Sequence, residues 1–242
     1  MTTDAEDKAK KYGDWPRSYL RKQGHITRAQ KRALRELWDD FGLDCPHGVV
    51  LDLDDAFGRR AEKRVLEVGF GMGENILAQA KANPQVDYVG VEVHRPGIGA
   101  VMNEVDDLGL KNVRVIRRDV LKLLRDHLPE RCFDEIYLFF PEPWPRDKDA
   151  DRRLIRPMLL DLLEKRLTPG SLMHIATDVR DYASHVVEVF SERERWTSLA
   201  APGEELVERP EWRPMTKYEE KGLEEGRSIH DLCYRFEAAA QE

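Results

Sequence analysis

The sequence predicts an α/β fold, a mostly parallel sheet with helices on both faces, from three observations. From Arg64 onward, short apolar runs alternate with stretches of helical spacing, the pattern of strands joined by crossover helices. The first run leads into a glycine-rich turn, Glu67-Val68-Gly69-Phe70-Gly71-Met72-Gly73. Acids stand at the ends of this run and of the next two, at Glu67, Glu92 and Asp119, where open α/β sheets receive ligands. A chain of 242 residues accommodates one such domain with modest terminal additions.

Taken in order, residues 1–14 are polar and charged and are expected to be mobile. Over Thr27–Phe41 the residues Ala33, Leu34, Leu37, Trp38 and Phe41 recur at helical spacing behind a capping threonine, which predicts one amphipathic helix. Pro46, Gly48 and Gly58 break the acidic stretch 42–62 into turns. The chain therefore divides into a basic arm, helix and acidic connection over 1–62 and an α/β domain over 63–242. Strands are predicted at 64–68, 86–92, 113–118, 133–140 and 171–176, and helices at 74–82, 97–109, 120–127, 152–166 and 179–191. Asn83-Pro84 and Thr168-Pro169-Gly170 read as stops. Beyond 196 the chain reads as loops rich in proline and charge up to Arg213, with a last strand over Ser228–Glu237.

The net charge of -7 disfavours a polyanionic partner only if the charge is evenly spread. It is not: Lys8 to Arg35 holds ten basic residues and one acid, Asp14. A cationic arm on an acidic body fits a nucleic acid better than a metabolite. No apolar run reaches the roughly 20 residues that cross a bilayer, and the N-terminus lacks a secretory apolar stretch, so a cytoplasmic location with no membrane partner is expected. Cys45, Cys132 and Cys233 are far apart and form no C-x-x-C pair, which supports neither a disulfide framework nor a metal site.

The glycine turn admits two readings, close packing or a ligand approaching the backbone. A dinucleotide loop needs a third glycine at residue 74, where Glu74 would repel a pyrophosphate. The pattern E-x-G-x-G-x-G instead resembles the first motif of class I methyltransferases. Their cofactor, S-adenosylmethionine, carries a sulfonium and an α-amino group, for which Glu67 is a sensible electrostatic partner. Glu92, about twenty residues on, suits two ribose hydroxyls. Any one of these acids alone reads equally as an exposed charge at a strand end. The run Phe133–Phe140 feeds Pro141-Glu142-Pro143-Trp144-Pro145, where two prolines restrict the backbone around a carboxylate; the plain alternative is a stiff turn over a packed tryptophan. Such loops resemble the (N/D)PP(Y/F/W) loops of nitrogen-directed methyltransferases. Guanine N7 carries no proton that must leave before attack, so Glu142 is expected to position the base and stabilise its developing charge.

Together Arg17–Thr27, Glu67–Gly73, Gly90–His94, Phe139–Trp144, Ala176-Thr177-Asp178 and Thr216-Lys217-Tyr218-Glu219 resemble the bacterial tRNA (guanine-N7)-methyltransferases. The resemblance implies a class I S-adenosylmethionine-dependent, Rossmann-like fold with a seven-stranded sheet and a basic N-terminal extension. It implies methyl transfer to a guanine in the variable loop of tRNA, by a monomer or, less favoured, a dimer. Glu67, Gly69, Gly71, Gly73, Glu92, Asp119 and Glu142 are the implied cofactor-binding residues, Asp119 at the adenine amino group, with Glu142 also catalytic. Arg146, Asp178, Thr216, Lys217, Tyr218 and Glu219 are the implied substrate-binding residues. Asp178 also reads as a helix cap and Lys217 with Glu219 as a solvated pair. Two features depart from the family. Glu142 stands where aspartate is usual, and Asp147, Asp149 and Asp151 interrupt the basic stretch behind the loop. A same-fold enzyme with another substrate and a non-catalytic tRNA-binding or cofactor-binding relative are the rival readings.

Overall fold

A computed structural model describes residues 18–19 and 24–237. The mobility expected of residues 1–14, and six of the ten N-terminal cations, fall outside these residues. Seven strands form one sheet: β1 (Lys63–Val68), β2 (Val86–Glu92), β3 (Val113–Arg117), β4 (Phe133–Phe139), β5 (Leu167–Thr177), β6 (Trp196–Ser198) and β7 (His230–Phe236). Their order is β3-β2-β1-β4-β5-β7-β6. The pairs among β1 to β5 are all parallel, and β7 runs antiparallel to both β5 and β6.

Side chains alternate across this sheet and build two cores. On one face Val65, Tyr88, Val115 and Tyr137 meet α1 (Arg28–Glu36), α2 (Trp38–Phe41), α4 (Glu74–Ala82) and α5 (Arg95–Asp107). On the other, Leu66, Val89, Ile136 and Ile175 meet α3 (Leu53–Phe57), α6 (Val120–Asp126), α7 (Pro157–Leu163) and α8 (Arg180–Ser191). A further helix, α9 (Lys217–Glu224), precedes β7.

The predicted helix over 27–41 is two helices. Thr27 caps α1 through a reciprocal box with Gln30, but the backbone turns at Leu37, and Gly42 closes against the Trp38 ring. The helix expected over 152–166 begins only at Pro157, behind a 3-10 turn over Asp147–Arg152. Proline lacks the N–H and forces Arg156 into extended backbone, φ -153° and ψ 162°. Thr168-Pro169-Gly170 does not stop a helix but lies inside β5, where the register slips between Phe133 and Glu135. Three elements went unread in the sequence: α3 in the acidic stretch, three-residue β6, and α9.

Helix α1 joins the sheet domain through α5. A Cβ at Gly99 would stand 2.6 Å from the Gln30 carbonyl oxygen, so the backbones touch because no side chain intervenes. Among the described residues, no helix is long and apolar enough to cross a membrane, and no group of three His, Cys, Asp or Glu could hold a metal.

Candidate active site

The carboxyl ends of the parallel strands carry the predicted site. Strand β1 delivers the glycine turn, in which Gly69, Gly71 and Gly73 have φ of 72°, 56° and 87°, conformations that side chains strain to adopt. A Cβ on Gly97 would fall 1.9 Å from the Gly71 carbonyl oxygen. The start of α5 therefore closes on the turn only because residue 97 carries no side chain.

Glu92 ends β2 and ties this turn together. Its Oε2 accepts from Gly71 N–H at 3.1 Å, and its Oε1 accepts from the N–H groups of Val93 and His94 at 2.6 and 3.0 Å. His94 Nδ1 lies 3.2 Å from the same oxygen. Asp119 caps α6 and accepts from Leu121 and Lys122 N–H at 3.0 and 3.2 Å. Glu67 is buried behind the turn, where Asn75 Nδ2 donates to it at 2.7 Å. Burial raises its pKa to about 8 against the partial relief from Asn75.

A cavity of about 180 Å³ opens between these elements. Gly69, Glu92, His94, Arg118, Phe140 and Glu142 are among its lining residues. Of the predicted cofactor residues, Gly69, Glu92 and Glu142 therefore share one space, while Glu67, Gly71, Gly73 and Asp119 are not among the residues that line it. Ser18 and Tyr19 cover one side. They are held by the loop after β4: Trp144, in left-handed backbone at φ 43°, donates its indole N–H to Ser18 O at 3.2 Å. Arg152 stacks 3.4 Å above that indole. The Glu142 carboxylate is exposed beside it.

The substrate candidates separate into three groups. Lys217 N–H donates to Glu74 at 2.9 Å, which pins the start of α9 to the glycine turn. Thr216 caps that helix through Glu219 N–H at 3.2 Å. Tyr218 then stands 5.2 Å from Phe140, and its hydroxyl reaches Asp178 at 3.4 Å. Asp178, 4% exposed, also pairs with Arg227, so it is a held carboxylate rather than a helix cap. Arg146 lies apart, 66% exposed and 2.6 Å from Asp149. Glu219 is turned inward: 0% exposed, it accepts from Arg213 at 2.6 and 2.9 Å and from Arg209 at 3.0 Å. Neither a solvated pair with Lys217 nor direct reach into the cleft is compatible with this placement. Arg213 continues to Asp231 at 3.1 Å, whose pKa burial raises despite that contact.

Sequence reasoning did not single out Arg118, Asn75, Arg213 or Arg227. Nothing in their sequence surroundings distinguishes them from ordinary surface residues; only the fold brings them to the acids.

Residues 61–232 match the family described as "Putative methyltransferase". The tRNA (guanine-N(7)-)-methyltransferase of Halorhodospira halophila is 44% identical over 90% of this chain and 94% of its own length. That of Chromohalobacter salexigens is also 44% identical, over 90% and 88%. The chain belongs to the tRNA (guanine-N7)-methyltransferase family. Among solved structures, the 16S rRNA methyltransferase KamB superposes with a TM-score of 0.55 at 15% identity, covering 78% of this chain and 95% of its own. An S-adenosylmethionine-dependent methyltransferase from Aquifex aeolicus gives 0.51 at 16%, covering 76% and 87%. At such identities the likeness is one of fold: the class I methyltransferase sheet.

Proposed function

We propose that this protein transfers a methyl group from S-adenosylmethionine to N7 of a guanine in the variable loop of tRNA, as a cytoplasmic enzyme. The observation that carries the reading is that the exposed Glu142 carboxylate opens onto the same cavity as Gly69 and Glu92. One wall suits a nucleoside cofactor and the other a base. The chain's donors and acceptors fit the cofactor. The side-chain-free turn leaves room at the backbone, Glu92 is an acceptor for ribose hydroxyls, Asp119 stands one strand further on, and Glu67, on giving up the proton that burial keeps on it, offers a carboxylate to a cation. The cofactor supplies an electrophilic methyl group on a sulfonium. N7 attacks with an in-plane lone pair, so the protein needs no general base and contributes mainly orientation.

In this reading Glu142 accepts from the guanine N1–H and amino group and offsets positive charge as it grows on the base. Tyr218 and Asp178 flank the approach from α9, and Arg146 is a basic contact at the rim. Thr216 and Lys217 set the position of Tyr218 through the helix cap and the Glu74 contact, and Glu219 acts at a distance by anchoring the same helix.

Incubation with S-adenosylmethionine and an unmodified tRNA transcript is expected to yield 7-methylguanosine in the variable loop, read by mass spectrometry of nuclease fragments. Absence of that nucleoside at substrate excess overturns the reading. Glu142→Ala is expected to lower kcat by about a hundredfold, the scale of losing an electrostatic contact at a reacting group. Glu142→Asp should retain much more activity. An alanine variant as fast as wild type removes Glu142 from its role.

A further inference from the structure

A second concavity, of about 640 Å³, lies beyond the edge of the cofactor cleft. Its walls come from α1 and α2, through Leu34 and Trp38, from the turn at Cys45, and from Arg95, Arg117 and Arg118. Arg117 ends β3 directly beside Glu92 in the sheet register, and Arg95 opens α5 three residues further along. Arg118 lines both the cofactor cavity and this groove, so the two spaces adjoin.

The charge of the groove is unusual for an acidic protein. Three guanidinium groups face it with one carboxylate, Asp44, which accepts the Trp38 indole N–H at 3.0 Å. The Arg117 guanidinium makes no hydrogen bond or ion pair with any described residue. Arg118 donates one N–H to Cys45 O at 3.0 Å, yet its Nε is buried without a partner. Arg117 and Arg118, neighbouring cations with an orphaned buried donor, carry an electrostatic cost that an anionic ligand relieves. The N-terminus of α5 adds its own positive field at Arg95.

We infer that this groove, built on Arg95, Arg117 and Arg118, is a docking site for the phosphodiester backbone of the RNA whose base enters the cofactor cleft. The inference rests on the tRNA substrate proposed above. It assigns the polyanion contact to the folded domain, where the acid-laced 3-10 turn behind Glu142 is poorly suited to hold phosphates: there Arg146 and Arg152 already face Asp149. A backbone gripped in the groove would present a nearby unstacked base to the cavity, joined to it at Arg118.

The test is binding, measured apart from turnover. Affinity for a fluorescent tRNA is followed against salt for wild type, for Arg95→Gln with Arg117→Gln, and for Arg117→Glu. Each phosphate contact contributes about 0.7–0.9 to the slope of log affinity on log salt. The double variant is therefore expected to lose about 1.5 from the slope and bind about twentyfold more weakly near 0.15 M salt. Its affinity for S-adenosylmethionine and its kcat at saturating tRNA should be unchanged; Arg117→Glu should weaken binding further. Unchanged tRNA affinity and slope in both variants overturn the inference, whatever the turnover. Weakened binding without methyl transfer in wild type would uphold the groove and sink the proposed reaction. Inorganic phosphate is the control for a small anion. Protection of wild type but not the double variant by phosphate, with tRNA binding unaffected, overturns the RNA assignment.

Discussion

Glu67 holds its proton more tightly in the folded chain than in the unfolded one, because burial raises its pKa from 4.5 to about 8. The native state therefore binds the extra proton between those values, and stability falls as pH rises across that window. The slope contributed by this group approaches about 1.4 kcal/mol per pH unit. Thermal melting of the ligand-free protein should drop as pH rises from 5 to 8, and Glu67→Gln should flatten that decline. An equal decline in the variant would exclude Glu67 as its source. The identity of this acid was legible, since it stands in a recognisable turn. Its partner was not: Asn75 meets it only because α4 folds back over the loop. Glu219 shows the opposite failure. A charged quartet reads as surface, and its burial follows from Arg213, a residue within a proline-rich loop that offers no periodicity.

At the scale of elements, the strands that were read correctly are those of five residues or more, long enough for apolar residues to recur along them. Three-residue β6 is too short for alternation to register, and it is defined by pairing with β7. Helix α9, KYEEKGLE, shows mostly polar residues and an internal glycine, so its sequence lacks an apolar stripe; it is fixed by the Thr216 cap and the buried Glu219. The join between α1 and α5 is equally silent in sequence, since its signal is the absence of a side chain at Gly99. That absence can be tested. Gly99→Ala places a methyl 2.6 Å from backbone oxygen and 2.9 Å from Gln30 Cα, an overpacking expected to cost about 1–3 kcal/mol. Urea unfolding should show a lower midpoint, and limited proteolysis should cut near α1 earlier than in wild type. A midpoint within error of wild type would mean that α1 contributes little there.

Across the whole molecule, the sheet's parallel half carries the candidate cleft, and its antiparallel edge anchors α9. The link is the buried network of Arg209, Arg213, Glu219 and Asp231, which joins the segment after β6 to β7. Removing one partner leaves buried charge unpaired, so Arg213→Ala is expected to cost about 3–5 kcal/mol, lowering Tm by roughly ten degrees for a domain of this size. A scanning calorimetry trace unchanged from wild type would refute a structural role for the network. The mostly parallel sheet was legible because short apolar runs alternate with helical stretches; this network was not, because its members come from distant loops. Glu92 carries one last consequence. A carboxylate has about two acceptor positions on each oxygen, and in Glu92 the Val93 and His94 N–H groups with the His94 ring crowd Oε1 while Gly71 N–H alone addresses Oε2. Under the proposed function one ribose hydroxyl is received at Oε2 without displacing a donor, and a second must compete at Oε1. The two singly deoxygenated riboses of the cofactor should then lose affinity unequally when titrated, and equal losses would exclude this asymmetry.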